Sequence, residues 1–315
     1  MRRTTYVAAA AISLFAMVAG GAAAEVSFEP VYSVGGYGIG RQSFDRPVDA
    51  AEDREENAYV VDQGNNRIQV LDRRGSFLRE WGGHGFTAGL FDKPSAIAID
   101  PVSGNLFVVD RLNNRVQKFD SNGRYLSSFG RLGSGDGDFN RPMDIALDRK
   151  GNIYVADTGN NRIEKFDPGG RFILEWGKFA RRRRGTELTN PVSIAYSDEG
   201  FGYLYVLSSP GCTVQKYDID GVLIKTWPMR LSGEEGPCGP SRIRIEPRKY
   251  TVYIADAENN RLILFDKEGE PLGEFKGGKD PLKKPGGLFV NISFGEIVVV
   301  TDTGNNLVRK FRRIR

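Results

Sequence analysis

The chain has 315 residues, with 44 lysines and arginines against 40 aspartates and glutamates and a formal net charge of +4. That balance excludes a globally basic nucleic-acid binder, and an apolar content of 40% excludes wholesale disorder. Two cysteines cannot build a disulfide-dense scaffold or a four-cysteine zinc site, and a single histidine excludes a catalytic metal centre with two or three histidine ligands. The 39 glycines, with no G-X-Y period, predict many turns and hence many short strands.

Arg2 and Arg3 precede an apolar run from Val7 to Ala19, followed by Gly20-Gly21-Ala22-Ala23-Ala24. A basic start, a short apolar stretch and small residues at an A-x-A site describe a secretory signal peptide over residues 1–24, cut after Ala24. The alternative is an uncleaved anchor, since Val7–Ala24 could span a thinned bilayer. Loss of the two arginines leaves 42 basic residues against 40 acidic ones. The mature chain, 25–315, is expected in the periplasm or outside the cell, where disulfides persist.

The remainder is one unit repeated six times. Asp62-Gln63-Gly64-Asn65-Asn66-Arg67 recurs at Asp110–Arg115, Asp157–Arg162, Asp256–Arg261 and Asp302–Leu307, with a degenerate copy at Ser208–Thr213. A second anchor is Pro47, Pro94, Pro142, Pro191, Pro240 and Pro285, at intervals of 47, 48, 49, 49 and 45. After each proline comes a short apolar strand such as Ala96–Ile99, then a turn, then a β-branched and aromatic strand such as Leu106–Val109. The Asp…Asn-Asn-Arg turn leads to a third strand (Val116–Phe119), and a glycine turn leads to a fourth (Tyr125–Phe129). Four short strands with no helical period predict one antiparallel sheet per repeat. Such sheets bury their faces by radial packing, which is a β-propeller.

The last copy stops at its third strand, Leu307–Phe311, whereas Phe28–Gly38 is similar to Phe77–Gly85, a fourth strand. The N-terminal strand is therefore expected to complete the last blade and remove an exposed edge. The reading is all-β: a single six-bladed propeller over residues 25–315.

These residues resemble NHL repeats, whose pattern is a proline entering an inner strand, a Val-Ala-Asp-x-x-Asn-x-Arg stretch, then Phe-Asp-x-x-Gly. The resemblance is plainest at Pro142…Tyr154-Val155-Ala156-Asp157-Thr158-Gly159-Asn160-Asn161-Arg162…Phe166-Asp167 and covers about residues 28–313. It implies the fold but not the function. The family holds ubiquitin ligases with NHL ends, RNA-binding repressors, a zinc-dependent peptidyl-hydroxyglycine lyase and many exported bacterial proteins. The ligase role implies a Cys/His-rich segment that is missing here. The lyase role implies three zinc histidines, and only His84 exists.

Candidate chemistry lies where the repeats deviate. The Asp…Asn-Asn-Arg signature is first a structural turn; as a functional feature, Arg67, Arg115, Arg162 and Arg261 would present cations on one face. Arg181, Arg182, Arg183 and Arg184 lie between the third blade's last strand and Pro191, at the same end as those turns. They form a local anion-attracting patch. Asp49, Ala96, Asp144, Ser193, Arg242 and Gly287 each follow their proline by two residues, and are expected to rim the central channel as a polar binding mouth. Asp49 and Asp144 could contribute oxygen ligands to Ca²⁺, the one cofactor considered. Cys212 takes the place of the second asparagine in the degenerate turn and Cys238 precedes Pro240, so a disulfide is expected between them. Trp81, Trp176 and Trp227 end fourth strands and are expected to pack between blades. The Gly36–Gly40 and Gly133–Gly137 runs lack the helix a phosphate cradle needs.

The expected function is an exported, non-catalytic propeller, a monomer that binds a protein or anionic polymer of the cell envelope on its loop face. Nucleic acid is not an expected partner. The alternatives are a metal-dependent hydrolase or lyase with a channel site, of the lactonase or peptidyl-hydroxyglycine lyase kind, and an RNA-binding or ligase-associated NHL domain retained in the cytoplasm.

Overall fold

The computed structural model describes residues 25–177, 188–231, 233–292 and 295–314. The expected signal peptide at 1–24 and the arginines 181–184 lie outside the described residues. Among those described, the strands form six four-stranded antiparallel sheets. Blade 1 holds β2 (Pro47–Glu52), β3 (Ala58–Asp62), β4 (Arg67–Leu71) and β5 (Phe77–Gly82). Blade 2 holds β6 (Pro94–Ile99), β7 (Leu106–Asp110), β8 (Arg115–Phe119) and β9 (Tyr125–Phe129). Blade 3 holds β10 (Asp144–Leu147), β11 (Ile153–Asp157), β12 (Arg162–Phe166) and β13 (Phe172–Gly177). Blade 4 holds β14 (Pro191–Ser197), β15 (Tyr203–Ser208), β16 (Thr213–Asp218) and β17 (Leu223–Pro228). Blade 5 holds β18 (Pro240–Ile245), β19 (Val252–Asp256), β20 (Arg261–Phe265) and β21 (Pro271–Phe275). In blade 6, β22 (Pro285–Asn291), β23 (Ile297–Asp302) and β24 (Leu307–Arg313) are completed by β1 (Phe28–Gly35).

The ring is closed as expected. β1 pairs antiparallel with β24, in a register that sets Phe28 opposite Arg313 and Gly35 opposite Leu307. The innermost strands touch in the order β2, β6, β10, β14, β18, β22 and back to β2. The core lies between blades: Val61 and Ile68 of blade 1 pack with Ile97 and Phe119 of blade 2 and with Phe91 of the loop joining them. The middle strands β3, β7, β11 and β19 are buried along their whole length, whereas β5 alternates between half-buried and exposed.

The three tryptophans pack across seams, also as expected. Each indole lies against a glycine in the outer turn of the next blade: Trp81 on Gly123, Trp176 on Gly221, Trp227 on Gly269. Those glycines have φ of +85°, +84° and +84°, and an added Cβ would come within 2.7 Å of the indole. Backbone conformation and contact both demand glycine there.

The repeated turn is a fastener. The Asp carboxylate takes one backbone amide from the inter-blade loop on Oδ1; for Asp62, Asp110 and Asp157 the donors are Asp45, Asp92 and Asn140, at 2.7–2.8 Å. Its Oδ2 takes the first asparagine's amide and the arginine's Nε, as at Asn65 and Arg67, both 2.8 Å from Asp62. In the last copy Leu307 replaces that arginine, and Arg309 reaches Asp302 instead, at 3.2 Å. The second asparagine sits in the left-handed region, with φ of 53–55° at Asn66, Asn114, Asn161, Asn260 and Asn306. Asparagine tolerates that region better than most residues. Its Oδ1 accepts the amide of the residue just before the next blade's opening proline: Lys93, Arg141, Asn190, Lys284 and Arg46, at 2.7–2.8 Å.

Blade 4 uses a covalent variant. Cys212 holds the left-handed position, with φ of 51°, and is joined to Cys238 just ahead of blade 5. The expected disulfide is formed, at the seam where a side-chain hydrogen bond serves elsewhere.

One buried group carries a pH signature. Glu164 stands where blades 1 and 2 have Gln69 and Gln117, whose amides donate to the Ser43 and Leu90 carbonyls at 2.7 Å. Glu164 is fully buried, its Oε2 has no hydrogen-bond partner, and burial pushes its pKa up to about 9 despite Arg162 nearby. The folded protein therefore keeps a proton that the unfolded chain releases above pH about 4.5, and stability falls as pH rises from there toward 9, by at most about 1.4 kcal/mol per unit. Glu164→Gln is expected to be more stable than the wild type, with a gap that widens between pH 5 and 9 in denaturant titrations. A pH-independent gap would show that Glu164 is ionised in the fold.

Candidate functional site

The channel residues have a structural task. The inner edge of a propeller exposes backbone amides to the channel, and each needs a partner. Asp49 Oδ2 accepts the amide of Ile97 on the next blade at 3.1 Å. Asp144 Oδ2 accepts that of Ile194 at 2.9 Å, and Ser193 Oγ that of Ile243 at 3.0 Å. Ala96 cannot do this, and the Ile145 amide is capped by Asp144 Oδ1 at 2.9 Å. Gly287 is required by close approach: an added Cβ would lie 2.4 Å from the Asp49 Cα.

Two arginines of β18 then fill the channel. Arg242 sets Nε 3.2 Å from Asp49 and Nη1 2.7 Å from Asp144, and its Nη2 donates to the carbonyls of Val48 and Ser95 at 3.1 and 2.9 Å. Arg244 contacts the same two carboxylates at 3.2 Å, and Ser193 Oγ adds a short hydrogen bond to Asp144. Burial pushes both carboxyls up while the guanidiniums pull them down. Asp144, with Ser193 and the Ile194 amide added, ends below the ordinary carboxylate value, and Asp49 above it. Asp49, Asp144 and Ser193 are wholly buried and Arg242 is 3% exposed, so the expected polar mouth is instead a neutral plug. The oxygens considered for Ca²⁺ are directed at guanidinium groups. Among the described residues no group of three or more His, Cys, Asp or Glu is arranged to hold a metal.

The arginine rows take the structural role of the two that the sequence offered. Arg67, Arg115, Arg162 and Arg261 do not project as a cationic face; their side chains are 3–15% exposed and ion-paired to the turn aspartates. Arg67 additionally donates to the carbonyls of Ile39, Gly40 and Ser43 at 2.7–2.9 Å, so each guanidinium ties down a loop.

Below the plug, on the face away from the loops, the channel opens as a cavity of about 220 Å³ lined by Ile97, Ile99, Leu147, Ile194, Tyr196 and Phe289, with Arg244 at its floor. Most of its lining side chains are apolar, and its two charged residues are already paired, Arg244 with Asp49 and Asp144 and Glu52 with Lys310.

The loop face is different. The first asparagine of three turns holds an inter-blade loop by a glycine carbonyl: Asn65 to Gly38 and Asn113 to Gly85 at 2.9 Å, Asn160 to Gly133 at 2.8 Å. The flanking residues are thereby turned to solvent. Tyr37, Ile39, Phe86 and Leu132 are 80%, 83%, 79% and 70% exposed. Large apolar side chains left out on one side or the other of the same loop glycine in three consecutive seams are an interaction signal, unlike singly scattered ones. His84 belongs to this row; its side chain is 73% exposed and its Nε2 lies 3.8 Å from Asp92. The sequence reading set the Gly36–Gly40 run aside and missed this row. The signal available to it was an apolar residue beside each loop glycine in an otherwise polar segment.

A family profile described as a 6-bladed beta-propeller matches residues 90–177, which span blades 2 and 3. No curated protein matches the chain. Among solved structures, a catalytically inactive variant of virginiamycin B lyase from Staphylococcus aureus, crystallised with quinupristin, is similar at a TM-score of 0.61 and 14% identity, covering 88% of this chain and 82% of that one. The selenomethionine-substituted form of that lyase gives 0.61 and 15%, over 92% and 90%. A streptogramin B lyase gives 0.58 and 14%, over 84% and 78%. At such identity the likeness is one of fold.

Proposed function

We propose that this chain is an exported, non-catalytic propeller of the NHL type that docks a protein of the cell envelope on its loop face. The observation that supports this reading is the row Tyr37, Ile39, Phe86 and Leu132, exposed beside the same loop glycine in three consecutive seams, on the face of a plugged channel. The disulfide is in keeping with export, and no helix among the described residues is long and apolar enough to cross a membrane. Arg181–Arg184 fall between β13 and β14 in the sequence, and we propose that they add positive charge to the loop face.

A lyase reading draws only on the fold. The lyase variant named inactive carries alanine in place of a histidine. Here the sole histidine, His84, stands on the loop face and not in the channel.

The test is site-specific photo-crosslinking in the native cell. A probe at Phe86 is expected to give a discrete adduct that disappears in an Ile39→Ser/Leu132→Ser background. A probe at Ile173, on the rim strand β13, is expected to give none. Equal adducts at both positions, or none at Phe86, would overturn the docking reading.

A further inference from the structure

Residues two apart on a strand share a face, so a second ring lies below the plug, two residues further along each innermost strand. It holds Ala51, Ala98, Ala146, Ala195, Arg244 and Phe289. Four of the six are alanine. Arg244 does not fill the space they leave, because its Nη1 and Nη2 turn to Asp144 and Asp49 of the ring above, at 3.2 Å. The chamber of about 220 Å³ is the consequence, and all six residues of this ring line it.

The next position along each strand is Glu52, Ile99, Leu147, Tyr196, Ile245 or Val290. Glu52 is engaged, by Lys310 at 2.8 Å and Asn291 at 3.1 Å. The other five are apolar or aromatic, and Ile99, Leu147, Tyr196 and Ile245 are only half-buried. Those four, with Phe289, also line an adjoining cleft of about 410 Å³. The chamber thus has a mouth whose rim is apolar and partly exposed.

We propose that this chamber binds a neutral, planar aromatic molecule of one or two rings, on the face opposite the docking row. Its wall offers aliphatic and aromatic contact and few free hydrogen-bonding groups, which disfavours a charged or strongly polar occupant. An apolar cavity of about 150 Å³ takes up benzene, so the larger chamber here has room for a second ring. The charge at its closed end points to an aromatic ligand in particular. The Nη donors of Arg244 are consumed by two carboxylates and by the Ile243 carbonyl at 2.8 Å, yet 15% of its side chain stays exposed. A guanidinium bound in its plane keeps its two faces, and these attract a π-system. The site does not depend on the docking reading.

The probe is 2-naphthol at neutral pH, with its saturated counterpart decahydro-2-naphthol as control. 2-Naphthol is expected to bind saturably in a fluorescence titration, at least about fivefold more tightly than the control. Ala98→Leu and Ala146→Leu each place a larger side chain in the chamber and are expected to weaken binding about tenfold or more. Phe86→Ser, in the exposed row on the other face, is expected to leave it unchanged. Contacts observed by NMR from the naphthol ring to the methyl groups of Leu147 and Ile245 are expected in the wild type, which locates the ligand even if an alanine variant folds poorly. Absence of saturable binding, equal binding of the two naphthols, unchanged binding in both folded alanine variants, or ring contacts to Leu132 in place of Leu147 would each overturn the proposal.

Discussion

Arg242→Met is expected to lower the free energy of unfolding by about 3–5 kcal/mol, the cost of removing one partner from a buried ion pair. Arg242 is the centre of the plug. It contacts Asp49 and Asp144 and also caps the carbonyls of Val48 and Ser95, so its loss strands charges and acceptors contributed by three different blades. For a domain of this size the melting temperature should fall by roughly 10 °C. Adding Asp144→Asn is expected to recover part of the loss, because only the stranded charge is removed while Arg244 still faces Asp49. A loss below about 1 kcal/mol, or no recovery in the double variant, would show that the cluster is solvated and not a plug. Function should respond differently: the Phe86 adduct should persist in folded Arg242→Met, because the docking row lies outside the channel.

Breaking the Cys212–Cys238 bridge is expected to cost about 3 kcal/mol. The loop it closes spans 26 residues, and cross-linking a loop of that length removes about that much chain entropy from the unfolded state. The native side adds a local reason. Cys212 stands where other blades place a left-handed asparagine that holds the next blade, so the blade 4–5 seam without the bridge also lacks that hydrogen bond. Denaturant titrations with and without reductant should differ by this amount for the wild type and coincide for Cys212→Ser/Cys238→Ser. If reductant leaves the wild-type midpoint unchanged while the thiols are shown to be reduced, the bridge does not stabilise the fold.

The architecture was legible because it is repeated. The proline spacing, the Asp…Asn-Asn-Arg turns and the likeness of Phe28–Gly38 to Phe77–Gly85 define blade number, strand order and ring closure without reference to any side-chain contact. The bridge was legible because two aligned loops each held one cysteine. The site was less so, for two physical reasons. Sequence spacing assigns a residue to a blade and a depth but not the direction its side chain takes. Asp49 and Arg244, 195 positions apart, meet only because the channel is narrow enough for β18 arginines to cross it. Likewise spacing left Arg67 and its equivalents two roles, a clamp within a structural turn or a cation on one face; each folds back on the aspartate five residues earlier, which is the first. The apolar loop row was hidden for the opposite reason, since its glycines invited a reading as a ligand cradle and drew attention from the side chains between them.

The pairing of β1 with β24 also orders events in time. In a chain delivered N-terminus first, the segment 28–35 arrives at the start and its partner 307–313 near the end. Through all the intervening synthesis the first strand has no edge to join, and five blades can assemble while the sixth stays incomplete. Contacts of such long sequence separation carry a high loop-closure cost and form late. The ring therefore acts as a test of completeness: a chain that loses its last strand leaves a gap at blade 6, and two unpaired edges advertise it to proteases or holding chaperones.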